Sequence, residues 1–149
     1  MQILYYLLGG SFNSLLFENI RKSLGNVYSV HADTMVCGDN LLLLASAQYP
    51  EDVDPNDYIF AMNKSFRQLF DKDFLKSKFN EAIKAVNVEN LLIKDSIKSL
   101  ISYSVYATSI GYSVDLLTEP LSSLDFEEFY SFVKRCEDSE FIQVLSELS

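Results

Sequence analysis

The chain has 149 residues, 48% of them hydrophobic, which makes one domain with enough apolar material to bury about two-thirds of its extended surface in a single core. Twelve Lys and Arg scattered among twenty-one Asp and Glu leave a formal net charge of -9, which excludes nucleic acid as a partner, because phosphate contacts need clustered cations. No window approaches the roughly 18 consecutive apolar residues of a membrane-spanning helix, so no membrane partner is expected. Cys37 and Cys136 are too far apart and too few for a secreted disulfide scaffold. They read as free thiols in a reducing, cytoplasmic compartment.

The first eight residues, MQILYYLL, lack the positive start of a signal peptide and lead into Gly9-Gly10-Ser11. Ile3, Leu4, Leu7 and Leu8 fit the buried face of a helix that begins at or before the first residue. Such a start is what a fragment of a longer chain would show.

The stretch 7–30, LLGGSFNSLLFENIRKSLGNVYSV, is the one around which the rest of the chain is organised. Ser11, Asn13 or Ser14 can cap a helix, Leu16, Ile20 and Leu24 recur at four-residue spacing with Phe17 beside them, and Gly25 can end the helix in the left-handed region. Residues 28–37 then alternate as a strand, with Tyr28, Val30, Ala32, Thr34 and Val36 on the inner face and Ser29, His31, Asp33 and Met35 on the outer. Cys37-Gly38-Asp39-Asn40 is turn chemistry. The apolar run 41–47 reads as a strand covered on both faces, so the two form an antiparallel hairpin closed by Pro50-Glu51-Asp52.

Asp54-Pro55 starts a helix, with Asp57 favourable near its positive end and Ile59, Met62, Phe66, Leu69 and Phe70 as its buried stripe. Asp71-Lys72-Asp73 interrupts. A long helical region then runs through Phe79, Ala82, Ile83, Val86, Leu92, Ile97, Leu100 and Ile101 to about Gly111, broken once near Asn87 or Asn90, with Tyr103, Tyr106 and Tyr112 as packing residues. Thr118-Glu119-Pro120 with Ser122-Ser123 is a loop, and Asp125 with Glu128 makes an acidic capping box ahead of Phe126, Phe129 and Val133. Residues 141–148 alternate as a closing strand. The order predicts an α+β fold with helices packed on one face of a largely antiparallel sheet, a single domain over 1–149.

Gly9-Gly10-Ser11-Phe12, Ser14, Leu16-Phe17, Arg21, Gly25 and Tyr28-Ser29-Val30 resemble the signature segment of the non-catalytic half of the insulinase, pitrilysin and mitochondrial processing peptidase family. Leu15, Lys22 and Asn26-Val27 depart from that signature. The resemblance implies one half of such a peptidase, N-terminally truncated because the family's earlier sheet strands would precede the Gly-Gly helix. It also implies that Arg21 and Tyr28 contact the bound peptide substrate beside a zinc ion held by a partner half, in the same chain or a second subunit. Read from spacing alone, Arg21 is a solvated residue near a helix C-terminus and Tyr28 a core ring with its hydroxyl at the rim. With upstream strands missing, an open sheet edge and an uncovered apolar patch are expected, remedied by a homodimer.

The chain carries little chemistry of its own. The H-x-x-E-H zinc motif of the family needs two histidines on one helix, and His31 is the single histidine, so no metal site and no cofactor are expected in this segment. Cys37 and Cys136 form no C-x-x-C pair, Gly9-Gly10 lacks the rest of a phosphate-binding fingerprint, and Glu127-Glu128 do not face each other on a helix. The expected function is that of a substrate-clamping half of a zinc metallopeptidase, inactive alone. A catalytically inactive scaffold or assembly subunit of the same fold, and an unrelated α+β small-ligand-binding domain, are the alternatives.

Overall fold

The computed structural model describes residues 1–22, 24–25, 29–37, 40–50 and 54–137. Helix α1, Gln2–Leu8, buries Ile3, Leu4, Leu7 and Leu8, the face its spacing predicts. Gly9 and Gly10 then allow close packing. A Cβ on Gly9 would lie 2.5 Å from the Ala32 Cβ, and one on Gly10 would lie 2.9 Å from both the Tyr5 ring and the Tyr6 Cα. Any larger residue would push the end of α1 off the strand that carries Ala32.

The next helical segment forms, and its central part, Phe17–Lys22, is π-helical. Leu15, Leu16, Asn19 and Ile20 point inward. The expected side-chain cap is absent among the described residues. Ser14 accepts the Glu18 N–H through its backbone carbonyl at 3.0 Å, while its hydroxyl is buried without a hydrogen-bond partner. Gly25 closes the segment at φ +75, the left-handed geometry that favours glycine.

Strands β1, Ser29–Cys37, and β2, Asn40–Gln48, pair antiparallel with Val30 opposite Ala47, Ala32 opposite Ala45 and Thr34 opposite Leu43. Those residues face the core. Met35 faces Leu42 and Asp33 faces Leu44 on the outer side, where Leu42 and Leu44 are each 40% exposed. The apolar run of β2 is thus covered on one face only, contrary to the two-sided cover expected from its composition. Strand periodicity puts alternate leucines on opposite faces whatever lies beyond them. The described residues build a two-stranded sheet with helices on one side, and the predicted strand 141–148 lies outside them.

Helix α2, Pro55–Leu69, begins where Asp54 accepts the Asn56 N–H at 2.9 Å. Its most buried stripe is Tyr58, Ala61, Ser65 and Leu69, rotated by one position from the expected Ile59, Met62, Phe66 and Phe70, which flank it half-buried, while the expected Leu69 belongs to it. The rotation reflects what α2 packs against: Tyr49 stacks on Tyr58 with ring centroids 4.5 Å apart, and Asn19 bonds Ser65. Helix α3, Lys72–Asp95, starts at Asp71, whose carboxylate accepts the Phe74 N–H at 2.7 Å. It runs unbroken past Asn87 and Asn90. Both asparagines are turned to other segments: Asn87 Oδ1 accepts the Leu121 N–H at 2.8 Å, and Asn90 Oδ1 accepts from Gln2 Nε2 at 3.1 Å.

The break falls at Ser96, which caps helix α4, Ile97–Ser109, before Gly111 turns the chain at φ +81. A short helix α5, Val114–Leu117, precedes the predicted loop, and a 3₁₀ turn, Leu121–Ser123, lies within it. Asp125 then accepts the Glu127 and Glu128 N–H groups at the start of helix α6, Phe126–Glu137. Phe79 of α3 packs on Phe126 and Phe129 of α6 with both centroid distances 5.3 Å, and one core joins α1, the π-helical turn, α2, α3 and α6. Among the described residues no helix is long and apolar enough to cross a membrane.

Candidate functional site

Arg21 sits on the solvent side of the π-helical turn, and the inner side of that turn fixes where it stands. Asn19 is buried, and its amide donates to Ser65 Oγ at 3.1 Å and to Gln68 Oε1 at 2.7 Å on α2. Ser65 in turn donates to the Leu15 carbonyl at 3.3 Å and the Ala61 carbonyl at 2.8 Å. This polar staple ties the turn to α2, while the turn also packs on β1. A π turn adds a residue to one helical turn, a distortion that recurs at functional positions. Here it lets Asn19 and Ile20 both face inward while Arg21 and Lys22 face out.

The Arg21 guanidinium lies 5.3 Å from the centre of the Phe17 ring, which also has Lys22 Nζ at 6.0 Å and the 79% exposed Phe12 edge-on at 5.6 Å. The neighbouring Lys22 pairs with Glu18 one helical turn back. No carboxylate among the described residues pairs with Arg21, so its N–H donors face solvent beside an aromatic platform. Such a group can donate to a peptide carbonyl or a carboxylate. Tyr28, the other residue singled out in the sequence, lies outside the described residues.

Behind the staple an open cleft of about 470 Å³ runs along the outer side of α2 to the start of α3, lined by Phe60, Lys64, Arg67, Gln68, Asp71 and Phe74 among others. It offers cations, amides and rings. Its one lining carboxylate, Asp71, accepts the Phe74 N–H at the α3 cap. His31 is exposed on the outer face of β1, opposite Ser46. Cys136 is half-buried, and burial raises its thiol pKa against the opposing pull of the chain amino terminus and Arg135, which makes it a poor nucleophile. Among the described residues no three His, Cys, Asp or Glu side chains are grouped as a metal would need.

Sequence reasoning singled out Arg21 and missed its support. Asn19 and Ser65 are polar residues at core-facing positions of two amphipathic helices, and that misfit with the apolar stripe was the available signal.

The described residues thus form a small α+β domain in which a donor-bearing turn packs against a hairpin. Sequence comparison supplies the family. The chain belongs to the peptidase M16 inactive domain family, whose sequence model matches residues 1–86 and so covers the Gly-Gly break, the π-helical turn with Arg21, the hairpin and α2. It is of the non-catalytic type of the insulinase-like peptidases. Among solved structures, the crystal structure of a conserved protein from Enterococcus faecalis V583 has the same fold, with a TM-score of 0.63 at 11% identity, covering 90% of this chain and 32% of that one. This chain therefore spans about a third of the length of that protein. No curated protein matches the sequence.

Proposed function

We propose that this domain is the substrate-clamping, non-catalytic half of an insulinase-like zinc metallopeptidase, closing over a peptide held by a zinc-bearing half in the same chain or in a second subunit. Arg21 and Tyr28 are the donors directed at the peptide. The observation that carries this reading is the family match over residues 1–86, with Arg21 inside it on a firmly anchored turn and free to donate. The residues present do not fit zinc, since the chain has one histidine and that one is exposed on a strand, so no step of hydrolysis runs through this domain. Its part in proteolysis is to orient the scissile peptide and polarise a carbonyl. The setting is a reducing, cytoplasmic one, in keeping with two widely separated cysteines.

The test is kinetic. In the assembly with its zinc half, Arg21→Ala and Tyr28→Phe each lower kcat/KM for a peptide by about a hundred- to a thousandfold, the loss expected when one donor to a developing oxyanion is removed. Unchanged turnover in both variants would return the domain to the role of an inactive scaffold.

A further inference from the structure

The cleft beside α2 carries donors that the domain itself leaves unspent. Phe60, Lys64, Arg67 and Asp71 recur at helical spacing along the outer side of α2 and into the α2–α3 turn, and Phe74 joins them from α3. Lys64 and Arg67 are exposed, and neither is in a side-chain ion pair among the described residues. Arg67 lies in the last turn of α2, where the helix dipole alone favours a cation; Lys64, nearly a turn earlier, has no such reason to be there.

A third donor follows from the polar staple. Ser65 spends its hydroxyl proton on the Ala61 and Leu15 carbonyls, so its oxygen is the acceptor toward Asn19, and the Asn19 amide nitrogen is the donor. That nitrogen meets Gln68 at Oε1, which leaves the Gln68 amide nitrogen with no acceptor among the described residues, in the wall of the cleft. Two cations against one carboxylate already engaged at a helix cap make this lining positive, on a chain whose net charge is -9. Rings accompany the donors: Phe74 is half-buried against the core, while Phe60 is 72% exposed.

We propose that this cleft is a peptide-binding site, separate from Arg21, that takes an acidic residue flanked by apolar ones. Its carboxylate is held by Arg67, Lys64 and the Gln68 amide, and its neighbours cover Phe60 and Phe74. A guanidinium and an amide are planar donors that suit a carboxylate, and the charge-assisted bonds they form are the stronger kind. The rings select the source of that carboxylate, because a free inorganic anion would leave both in water. At about 470 Å³ the cleft lies within the ~300–1,000 Å³ of ligand pockets. By contrast, the outer face of α4 exposes Ile97, Ile101 and Val105 without a donor set that would select a ligand.

The experiment is fluorescence anisotropy, titrating the full chain into a labelled Ala-Phe-Glu-Phe-Ala peptide amide at physiological salt. Saturable binding is expected, weakened about tenfold when Gln replaces the peptide's Glu and about tenfold in Lys64→Gln or Arg67→Gln, the loss of one charge-assisted bond. Lys98→Gln, on α4 and outside the cleft, should bind as the wild type does. Phe60→Ala should weaken the Phe-Glu-Phe peptide and leave its Ala-Glu-Ala counterpart unchanged. The substituted side chains are exposed, so each variant should keep the wild-type circular dichroism spectrum. Equal binding of the Glu and Gln peptides, or no saturation at millimolar chain, overturns the proposal. A loss in Lys98→Gln as large as in Arg67→Gln overturns it in favour of diffuse charge, and displacement of the peptide by an equal concentration of inorganic phosphate overturns it in favour of a simple anion site. Arg21→Ala should leave this binding intact, so failure here and failure of the clamping role are told apart.

Discussion

Arg21 and Asn19 are two residues apart and have opposite consequences when removed. Asn19 spends both amide donors on Ser65 and Gln68 in a buried setting. Asn19→Ala should therefore destabilise the domain by about 1–3 kcal/mol, the cost of leaving buried acceptors unmatched, as read by urea denaturation. Arg21→Ala removes an exposed side chain and should change stability by less than about 0.5 kcal/mol. Equal losses for the two would mean that Arg21 is part of the scaffold.

Tyr103 carries a pH prediction. Burial, then the nearby Glu89, Tyr5 and Tyr106, raise its pKa above the ordinary 10.0. The folded state thus favours the neutral phenol. Its contribution to stability is fully present below pH 10 and is lost as pH climbs toward the raised folded value. Thermal unfolding from pH 9 to about pH 11.5 should show wild type losing more stability than Tyr103→Phe, whose ring packs the same way without titrating. Parallel losses would show that Tyr103 ionises freely.

Helix boundaries in this chain are set by side-chain caps of unequal quality. Asp71 accepts the Phe74 N–H at 2.7 Å with a charged carboxylate at the positive end of a 24-residue helix, whereas Ser96 accepts the Ser99 N–H at 3.3 Å with a hydroxyl. Asp71→Ala should cost about 1 kcal/mol and Ser96→Ala less, both measured as shifts in the urea midpoint at constant slope. The reverse order would mean that the α3–α4 corner depends more on its cap than its geometry implies. Continuity of α3 obeys the same logic. Asn87 and Asn90 look like helix breakers in the sequence, yet each places its amide against a segment far along the chain, so the residues that lower helix propensity locally hold the helix in place.

For the molecule as a whole, the proposed role of a non-catalytic half carries its own prediction. The isolated domain should bind well under one zinc per chain by elemental analysis and leave peptides uncut. Stoichiometric zinc, or hydrolysis in a preparation free of contaminating protease, would sink the reading of a non-catalytic half.

Much of this arrangement was legible without coordinates, because it rests on short-range chemistry. The apolar period of α1, the left-handed glycine at Gly25, the Asp54-Pro55 start, the alternation along β1 and the Asp125 cap are each decided within a few residues of themselves. Arg21 was singled out through the segment shared with the family that the sequence matches.

Beyond the reach of sequence lay each feature that depends on what a surface meets. The π turn at Phe17–Lys22 places Asn19 where Ser65 and Gln68 satisfy it, and no periodicity encodes a partner 46 residues away. The rotation of the α2 stripe, the one-sided cover of β2 and the bare outer face of α4 are likewise outcomes of packing. Apolar composition states that a residue gains by leaving water, and the neighbouring elements alone determine whether anything is there to cover it.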